Sequence, residues 1–518
     1  MEQLNEILLS EVEGFRKAGH KFLNGEITRA EFKGISGGMG VYAHRSGKEF
    51  MIRFRTPSGI ASIDELKFLY DFANKFNLES IHFTTRQAVQ LHGISIDEAC
   101  DCMIEGINNN FYTRGSGGNF PRNVAMSPLS GVEVGEVFDV SPYALAVNKH
   151  FMKKINSYKL PRKFKVAFSS SDTDESHATV ADLGFMAVLV DGEKYFKVYI
   201  GGGLGRSPRA SIPLEGLIKA EDILFHVEAI TDLFINEGDY ENKSRARIRY
   251  IVERMGEDQF VKCYEGYLEK SLSKENLKVK VESKVYNKKG SNTSMKNPRL
   301  ISQNKEGLYS VYVHPTGGIL KLENFKEILD FIEALEDVEL RLSMSEGFYI
   351  RNLNGEEAEK VISMTNSYSG ENALQYSVAC IGVPICQMGV LESQKTLNDV
   401  INYFKEKNFT KDILPSIHIS GCPNSCGVHE IGQIGFCGKK KRVKDKLIDA
   451  FELHLGGAIG IEKTRLGKYY GDLKAEEVPE FLYKLALEIE KSGKSFDDFI
   501  VQKDDILNKI LEKYLICS

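Results

Sequence analysis

Apolar residues recur at helical spacing in two stretches that resemble each other, and an alternating, strand-like stretch follows each. Residues 54–72, FRTPSGIASIDELKFLYDF, predict a glycine-containing turn and then an amphipathic helix. Residues 313–331, VHPTGGILKLENFKEILDF, repeat that pattern 259 positions later. At the same offset, IHFTTRQAVQLHGI (81–94) lies over LRLSMSEGFYIRNL (340–353), where apolar and polar positions alternate. Further on, FKVYIGGGLG (196–205) resembles FELHLGGAIG (451–460). Two homologous halves related by an approximate two-fold axis are expected. Two copies make a duplication, too few for a solenoid.

Each half divides again, into a smaller αβ part (41–110 and 303–365) and a larger one (111–270 and 366–518). Residues 271–302, rich in Lys, Ser and Asn, read as a linker, and residues 1–40 as a peripheral helical segment. The expected class is α+β with mixed sheets, because 518 residues exceed what one core accommodates. The copies differ in chemistry: Arg86 lies over Ser345, and paired cysteines occur only in the second half. One site shared between the halves is the simplest reading.

Composition narrows the function. A net charge of −5 gives no footprint for nucleic acid. No apolar run is long enough for a bilayer, and the acidic start lacks the order of a secretion signal, so a cytoplasmic protein is expected. Nine unevenly placed cysteines argue against a disulfide framework.

Four of those cysteines fall as Cys380-x5-Cys386 and Cys422-x3-Cys426. Four thiolates suit a [4Fe-4S] cluster, in which each iron takes one soft sulfur donor. Zinc is the better of two rivals, although its pairs usually enclose two to four residues; four buried thiols without metal is the other. Cys100, Cys102, Cys263, Cys437 and Cys517 match no ligand position.

With these cysteines, MGVY, MIRFRTPSG, TTRQAVQLHG (84–93), FPRNVAMSPLSG (120–131), LPRKFKVAFS (160–169) and GGGLGRSP (201–208) complete a pattern. From about residue 35 to about 510 the chain resembles the siroheme-dependent sulfite and nitrite reductases. The resemblance implies two ferredoxin-like half-domains and two larger mixed α/β siroheme and cluster domains around the pseudo-two-fold axis. It implies a [4Fe-4S] cluster on Cys380, Cys386, Cys422 and Cys426, with Cys426 also the axial ligand of siroheme. Arg86, Arg122, Lys163 and Lys165 match the family's distal basic residues, and alternation would put both lysines on one face of a strand. Arg53 and Arg55 are candidates for siroheme carboxylates or for plain surface charge, with Arg114 and Arg206 behind them. Asn424 is a candidate neighbour of the cluster or a turn former. His92 is a pocket residue or a packed histidine. GGGLGRSP lacks the third glycine of a dinucleotide fingerprint, and Pro208 interrupts any early helix. A close approach to a cofactor and a simple turn both fit it.

The resemblance implies six-electron reduction of sulfite to sulfide, with nitrite to ammonia as the alternative. Lys165 and His92 point to sulfite, since nitrite-reducing members tend to carry Asn and Arg there. Electrons would come from ferredoxin or a separate flavoprotein, because no flavin or nicotinamide motif is present. KKKRVKDK (439–446) is either a solvated face or a docking patch for an acidic donor.

Overall fold

The computed structural model describes residues 2–274, 276–501 and 505–516; Cys517 lies outside them. The chain forms two compact units: residues 1–203, 209–312 and 320–365, and residues 204–208, 313–319 and 366–518.

The repeated segments of the larger unit fold alike. In the first copy, Ser62 opens the helix Ile63–Lys75 with a capping box. Its hydroxyl accepts from the Glu65 amide at 3.2 Å, and the Glu65 carboxylate accepts from the Ser62 amide at 2.9 Å. The helix buries Leu66, Leu69, Phe72 and Ala73. Those residues belong to the same apolar side as Ile52, Phe54, Ile81, Phe83, Val89 and Leu91 of the neighbouring strands, all buried. The second copy begins its helix, Leu322–Glu333, without a side-chain cap. The duplication extends to backbone conformation. Ser58 (φ 54°) and Gly317 (φ 58°) occupy equivalent tight turns, and so do Gln87 (φ 51°) and Glu346 (φ 67°).

Two five-stranded sheets exchange strands. In one the order is Val41–Ala43, Phe50–Phe54, Val89–Ile94, Ser80–Phe83 and then Ile319–Lys321 from the other copy. In the second it is Leu300–Ser302, Leu308–Val313, Phe348–Asn354, Glu339–Leu342 and then Ile60–Ala61 from the first copy. Each half thus covers an edge of the other, which leaves fewer unpaired backbone groups.

Period-two alternation gives the first sheet two unlike faces. Register aligns Arg53 with Gln90 and Gln90 with His82, while Met51 faces His92 and Tyr42. The apolar face is packed, and this polar face carries much of the candidate chemistry.

The larger parts share one topology. Ala125–Met126, Val166–Ser169 and Leu183–Val190 run parallel, followed by antiparallel Glu193–Ile200 and Ile212–Pro213. In the smaller unit Val378–Ala379, Ile417–Ser420 and Ile434–Val443 run parallel, followed by antiparallel Lys446–Leu455 and Lys468–Lys474. The chain is therefore α+β and internally duplicated.

Two expectations change in detail. The segment between the halves has no helix or strand over 276–297, yet it is pinned to the fold: the Val279 amide donates to the Glu221 carbonyl at 2.8 Å, and buried Lys288 pairs with Glu357 at 2.6 Å. Lys163 and Lys165 do not stand in a strand. The strand begins at Val166, and they flank Phe164, which makes an isolated parallel bridge to Pro121. Phe164 is fully buried, so the two lysines still share the opposite side of an extended segment.

Candidate active site

In the larger unit the four expected cations come from three segments held by backbone contacts. Arg86 sits in the turn after Ser80–Phe83. The next residue, Gln87, anchors that turn: its amide donates to the Met126 carbonyl at 2.9 Å and the Leu342 carbonyl at 2.8 Å. The Arg122 amide donates to the Phe164 carbonyl at 2.9 Å, which sets Arg122 beside Lys163 and Lys165. The Lys165 amide donates to the Asp182 carboxylate at 2.8 Å, and the same carboxylate grips Arg247 with both oxygens 3.0 Å from Nη2.

The guanidiniums are held by carbonyl oxygens. Arg86 donates to the Val166 carbonyl at 2.7 Å, and its buried Nε has no partner. Arg122 donates to the carbonyls of Gly117, Phe120 and Gly118 at 2.8 to 2.9 Å. Burial lowers the proton affinity of Arg86, Arg122 and Lys165. Lys165 is pushed well below the usual lysine range, first by burial and then by the charges of Lys163, Arg86 and Arg247, against a smaller opposing pull from Asp182. Such a concentration of positive charge suits a small oxyanion, since guanidinium forks fit its oxygens.

Arg53 and Arg55 behave differently. Arg55 is buried and spends Nη1 on the carbonyls of Gly115 and Pro121, at 2.8 and 2.7 Å, bracing the segment that carries Arg122. Arg53 is half-buried, 5.8 Å over the Tyr42 ring, with Nη1 only 3.4 Å from the Ser116 carbonyl. Arg114 pairs with Glu11 at 2.7 Å and ties down the first helix.

In the smaller unit the cysteine loops leave the C-terminal ends of two adjacent parallel strands. Cys380 directly follows Val378–Ala379, and Cys422 lies two residues beyond Ile417–Ser420. The Cys380 sulfur accepts from the Gly421 amide at 3.2 Å and lies 3.3 Å from the Ser393 hydroxyl. Burial raises Cys380 and Cys422, and charge on Cys426 and Cys386 raises both further, so the four thiols share one neighbourhood. The Asn424 amide and side chain act in the opposite direction on Cys422. Among the described residues no three His, Cys, Asp or Glu side chains converge tightly enough for a single ion. A cube takes one thiolate per iron and spreads its ligands more widely. Glu430 ties this region together: it accepts from the Ser425 hydroxyl and from the Gly205 amide at 2.7 Å, and its carbonyl accepts from Gly467 at 2.7 Å. The Gly-rich segment thus ends on a buried carboxylate close in sequence to Cys426.

The model of the nitrite and sulphite reductase 4Fe-4S domain matches residues 117–272, and that of the nitrite/sulfite reductase ferredoxin-like half domain matches 42–105 and 301–368. Together they cover more than half of the chain. It belongs to the siroheme- and [4Fe-4S]-dependent nitrite and sulfite reductase family.

Relatives of the reductase include ferredoxin–nitrite reductase of Synechococcus elongatus, 25% identical over 462 residues (85% of this chain, 86% of the relative). The NADPH sulfite reductase hemoprotein beta-component of Anoxybacillus flavithermus is 25% identical over 507 residues (88% and 84%). The structure of Mycobacterium tuberculosis NirA superposes with a TM-score of 0.77 at 20% identity, covering 93% of this chain and 92% of that one, and so shares its fold. The ferredoxin-like half-domains are the two strand-exchanging parts. The family's cofactors, siroheme and a [4Fe-4S] cluster, fit the residues present: Cys380 and Cys422 both feel the charge of Cys386 and Cys426, and amide N–H groups aimed at the first two favour bound thiolates.

Sequence reading missed Arg247 and Asp182. The alternating S-R-A-R-I-R-Y at 244–250 was a signal for the first; Asp182 carried none. Gly203 shows why the Gly-rich segment is needed: its φ is 153°, and a Cβ there would stand 2.8 Å from Arg247 Nη2. Cys437 is buried in the strand Ile434–Val443 opposite Ser420, a packing position. The basic run on the same hairpin is largely paired, Lys439 with Glu452 and Asp472, Lys440 with Asp449, and Lys441 with Asp472. No helix among the described residues is long and apolar enough to cross a membrane.

Proposed function

We propose that this reductase carries out the six-electron reduction of sulfite to sulfide, with nitrite to ammonia as the second reaction of the same pocket. The observation that carries the preference is Lys165, a half-buried lysine crowded by Lys163, Arg86 and Arg247. Sulfite is dianionic near neutral pH and must shed three oxygens as water. It needs more fixed positive charge and more protons at one place than nitrite does.

Arg86 and Arg122 stay charged and orient the oxyanion. Lys165 gives up a proton from Nζ readily because its surroundings disfavour the ammonium, and Lys163 acts beside it. Cys380, Cys386, Cys422 and Cys426 would hold the cluster, and Cys426 would also be the axial thiolate of siroheme. When bound, these two groups would supply the redox chemistry of the reduction. Arg53, over the Tyr42 ring, would meet a siroheme carboxylate, Arg55 supports it by bracing residues 115–122, and Asn424 donates towards the Cys422 sulfur. The donor is ferredoxin or a separate flavoprotein, and the setting is the cytoplasm.

The test is Lys165→Asn with both substrates and one reduced donor. The sulfite-to-nitrite ratio of kcat/KM should fall at least tenfold; an unchanged ratio removes the basis for preferring sulfite.

A further inference from the structure

The two cysteine loops have counterparts in the first half, built on the same backbone and carrying different donors. In each large part the first two parallel strands pair alike: Ala125 with Ala167 and Met126 with Phe168 in one, Val378 with His418 and Ala379 with Ile419 in the other. The loop after the second strand has the same length in both, from Ser169 to Leu183 and from Ser420 to Ile434. It also turns at the same places. Asp174 (φ 54°) matches Ser425 (φ 53°), and His177 (φ 60°) matches Val428 (φ 47°). The Asp174 amide donates to the Ser171 carbonyl at 3.4 Å, as the Ser425 amide does to the Cys422 carbonyl at 3.4 Å. Ser171 therefore takes the place of Cys422, and Glu175 that of Cys426. Counted from the first strand, Ser127 takes the place of Cys380 and Glu133 that of Cys386. The Ser127 hydroxyl accepts from the Ser170 amide at 3.0 Å, as the Cys380 sulfur accepts from the Gly421 amide at 3.2 Å.

Four sulfur positions have thus become two hydroxyls and two carboxylates. The carboxylates are neighbours: burial, with the charge of Glu133 added, pushes Glu175 up to about 7. Glu133 is raised too, chiefly by burial. Among the described residues neither has a basic partner. Glu136, a third acid nearby, is spent on the Gly131 amide at 2.8 and 2.9 Å and on the Ser130 hydroxyl at 3.3 Å. The Ser170 hydroxyl is fully buried and aimed at the Glu133 carboxylate, whose charged form it favours, yet it closes no hydrogen bond. Glu175 stays exposed, so an ion can enter from solution. Two carboxylates side by side without a counter-charge are costly, and a cation between them removes the cost. Oxygen donors select hard ions, as thiolates select iron–sulfur clusters or zinc. Mg²⁺ takes one or two carboxylates and completes its shell with water, which suits a set of two.

We propose that the first half keeps this cradle as a binding site for a hard divalent cation of the Mg²⁺ class, held by the carboxylates of Glu133 and Glu175 with the hydroxyls of Ser170 and Ser171 beside it. The ion ties the loop after the first strand to the loop after the second. Those are the two loops that Cys380, Cys386, Cys422 and Cys426 would join in the other half. It carries no electrons and serves to hold the loops together. The parallel with the cysteines rests on the ligand assignment proposed above; the binding of a cation to Glu133 and Glu175 does not.

Mn²⁺ is the probe, because it suits the same oxygen donors as Mg²⁺ and its free form is read directly from its EPR lines. Holoenzyme washed with a chelator is titrated with Mn²⁺. Wild type should bind a single Mn²⁺ per chain in competition with Mg²⁺. Glu133→Gln and Glu175→Gln should each weaken that binding by about tenfold or more, since affinity follows ligand charge. Both should keep the visible absorption and iron content of wild type, which shows that they fold. Mg²⁺ should also raise the thermal midpoint of wild type, because it binds only the folded chain, and should leave the double variant unmoved. Wild type that binds Mn²⁺ no more tightly than the double variant overturns the proposal, and so does a wild-type midpoint indifferent to Mg²⁺. Full iron content in Cys380→Ser and Cys422→Ser would refute the ligand assignment while leaving the Mn²⁺ result to stand.

Discussion

Asp182 and Arg247 form a bidentate ion pair, Nη2 standing 3.0 Å from each carboxylate oxygen, with both side chains almost wholly withdrawn from water. The carboxylate also accepts from the Lys165 amide at 2.8 Å, so one acid joins the segment of the two lysines to the segment of Arg247. Breaking a buried pair leaves an uncompensated charge, which typically costs about 3–5 kcal/mol. Asp182→Asn should therefore lower unfolding stability in urea by that order. Arg247→Leu in the same background should recover part of the loss, because no orphan charge remains.

Lys165 gives the pocket a distinctive pH response. Its folded-state proton affinity is lowered, so the ammonium is lost as pH rises through a value well below the usual lysine range. Activity that needs the Lys165 proton should fall on the alkaline side at that value. Lys165→Arg keeps the charge to far higher pH, so its kcat should be lower while its alkaline limb moves upward. A limb at the same pH in both proteins would assign it to another group.

The cysteines divide into two classes by environment. Cys380→Ser and Cys422→Ser should each abolish most of the protein-bound iron and its visible absorption, whereas Cys437→Ala should keep both. Cys437 is buried within a strand, so its replacement should cost only about 1 kcal/mol of stability, as a small core truncation does. Glu430→Ala leaves the Gly205 amide and the Ser425 hydroxyl without their shared acceptor. Iron should then be released to a chelator faster than from wild type. Total iron per chain and the rate of chelation distinguish these outcomes.

Buried imidazoles set an acid limit on stability. His82, His226 and His418 are each lowered to about 4, chiefly by burial. A group with a depressed folded-state value binds fewer protons folded than unfolded between its folded value and the free value near 6.5. Its contribution is thus present above about pH 6.5 and lost as pH falls towards 4. Thermal midpoints should drop steadily over that window. His226 lies away from the pocket, against Tyr264 at 2.5 Å, so His226→Gln should flatten the drop without changing siroheme retention.

The duplication was legible because a helix stripe and a strand alternation each leave a periodic trace, and two traces 259 residues apart reinforce one another. The exchange of Ile60–Ala61 and Ile319–Lys321 between the sheets left none, since a two- or three-residue strand has no period to read. Arg86 and Lys165 stood out because neighbouring residues formed a motif around them. Arg247 did not, although it presses on the same lysine. The strand expected at Lys163 and Lys165 failed for a related reason: alternation describes which side a residue takes, and an extended segment with one bridge has the same alternation as a full ladder.

Residue types and spacing alone determined the family, the four cysteines and the excess of basic groups, because those properties depend on which atoms are present and on short-range periodicity. Tertiary structure decided which cations stay available. Arg55 is consumed by carbonyls while Arg53 is held by Gln90, and the two differ only in where the folded backbone places oxygen atoms around them. The same is true of His82, His92 and His44, whose ring nitrogens meet through strand register between residues up to 48 positions apart. Hydrogen-bond direction is a property of neighbours in space, and a linear chain does not contain it.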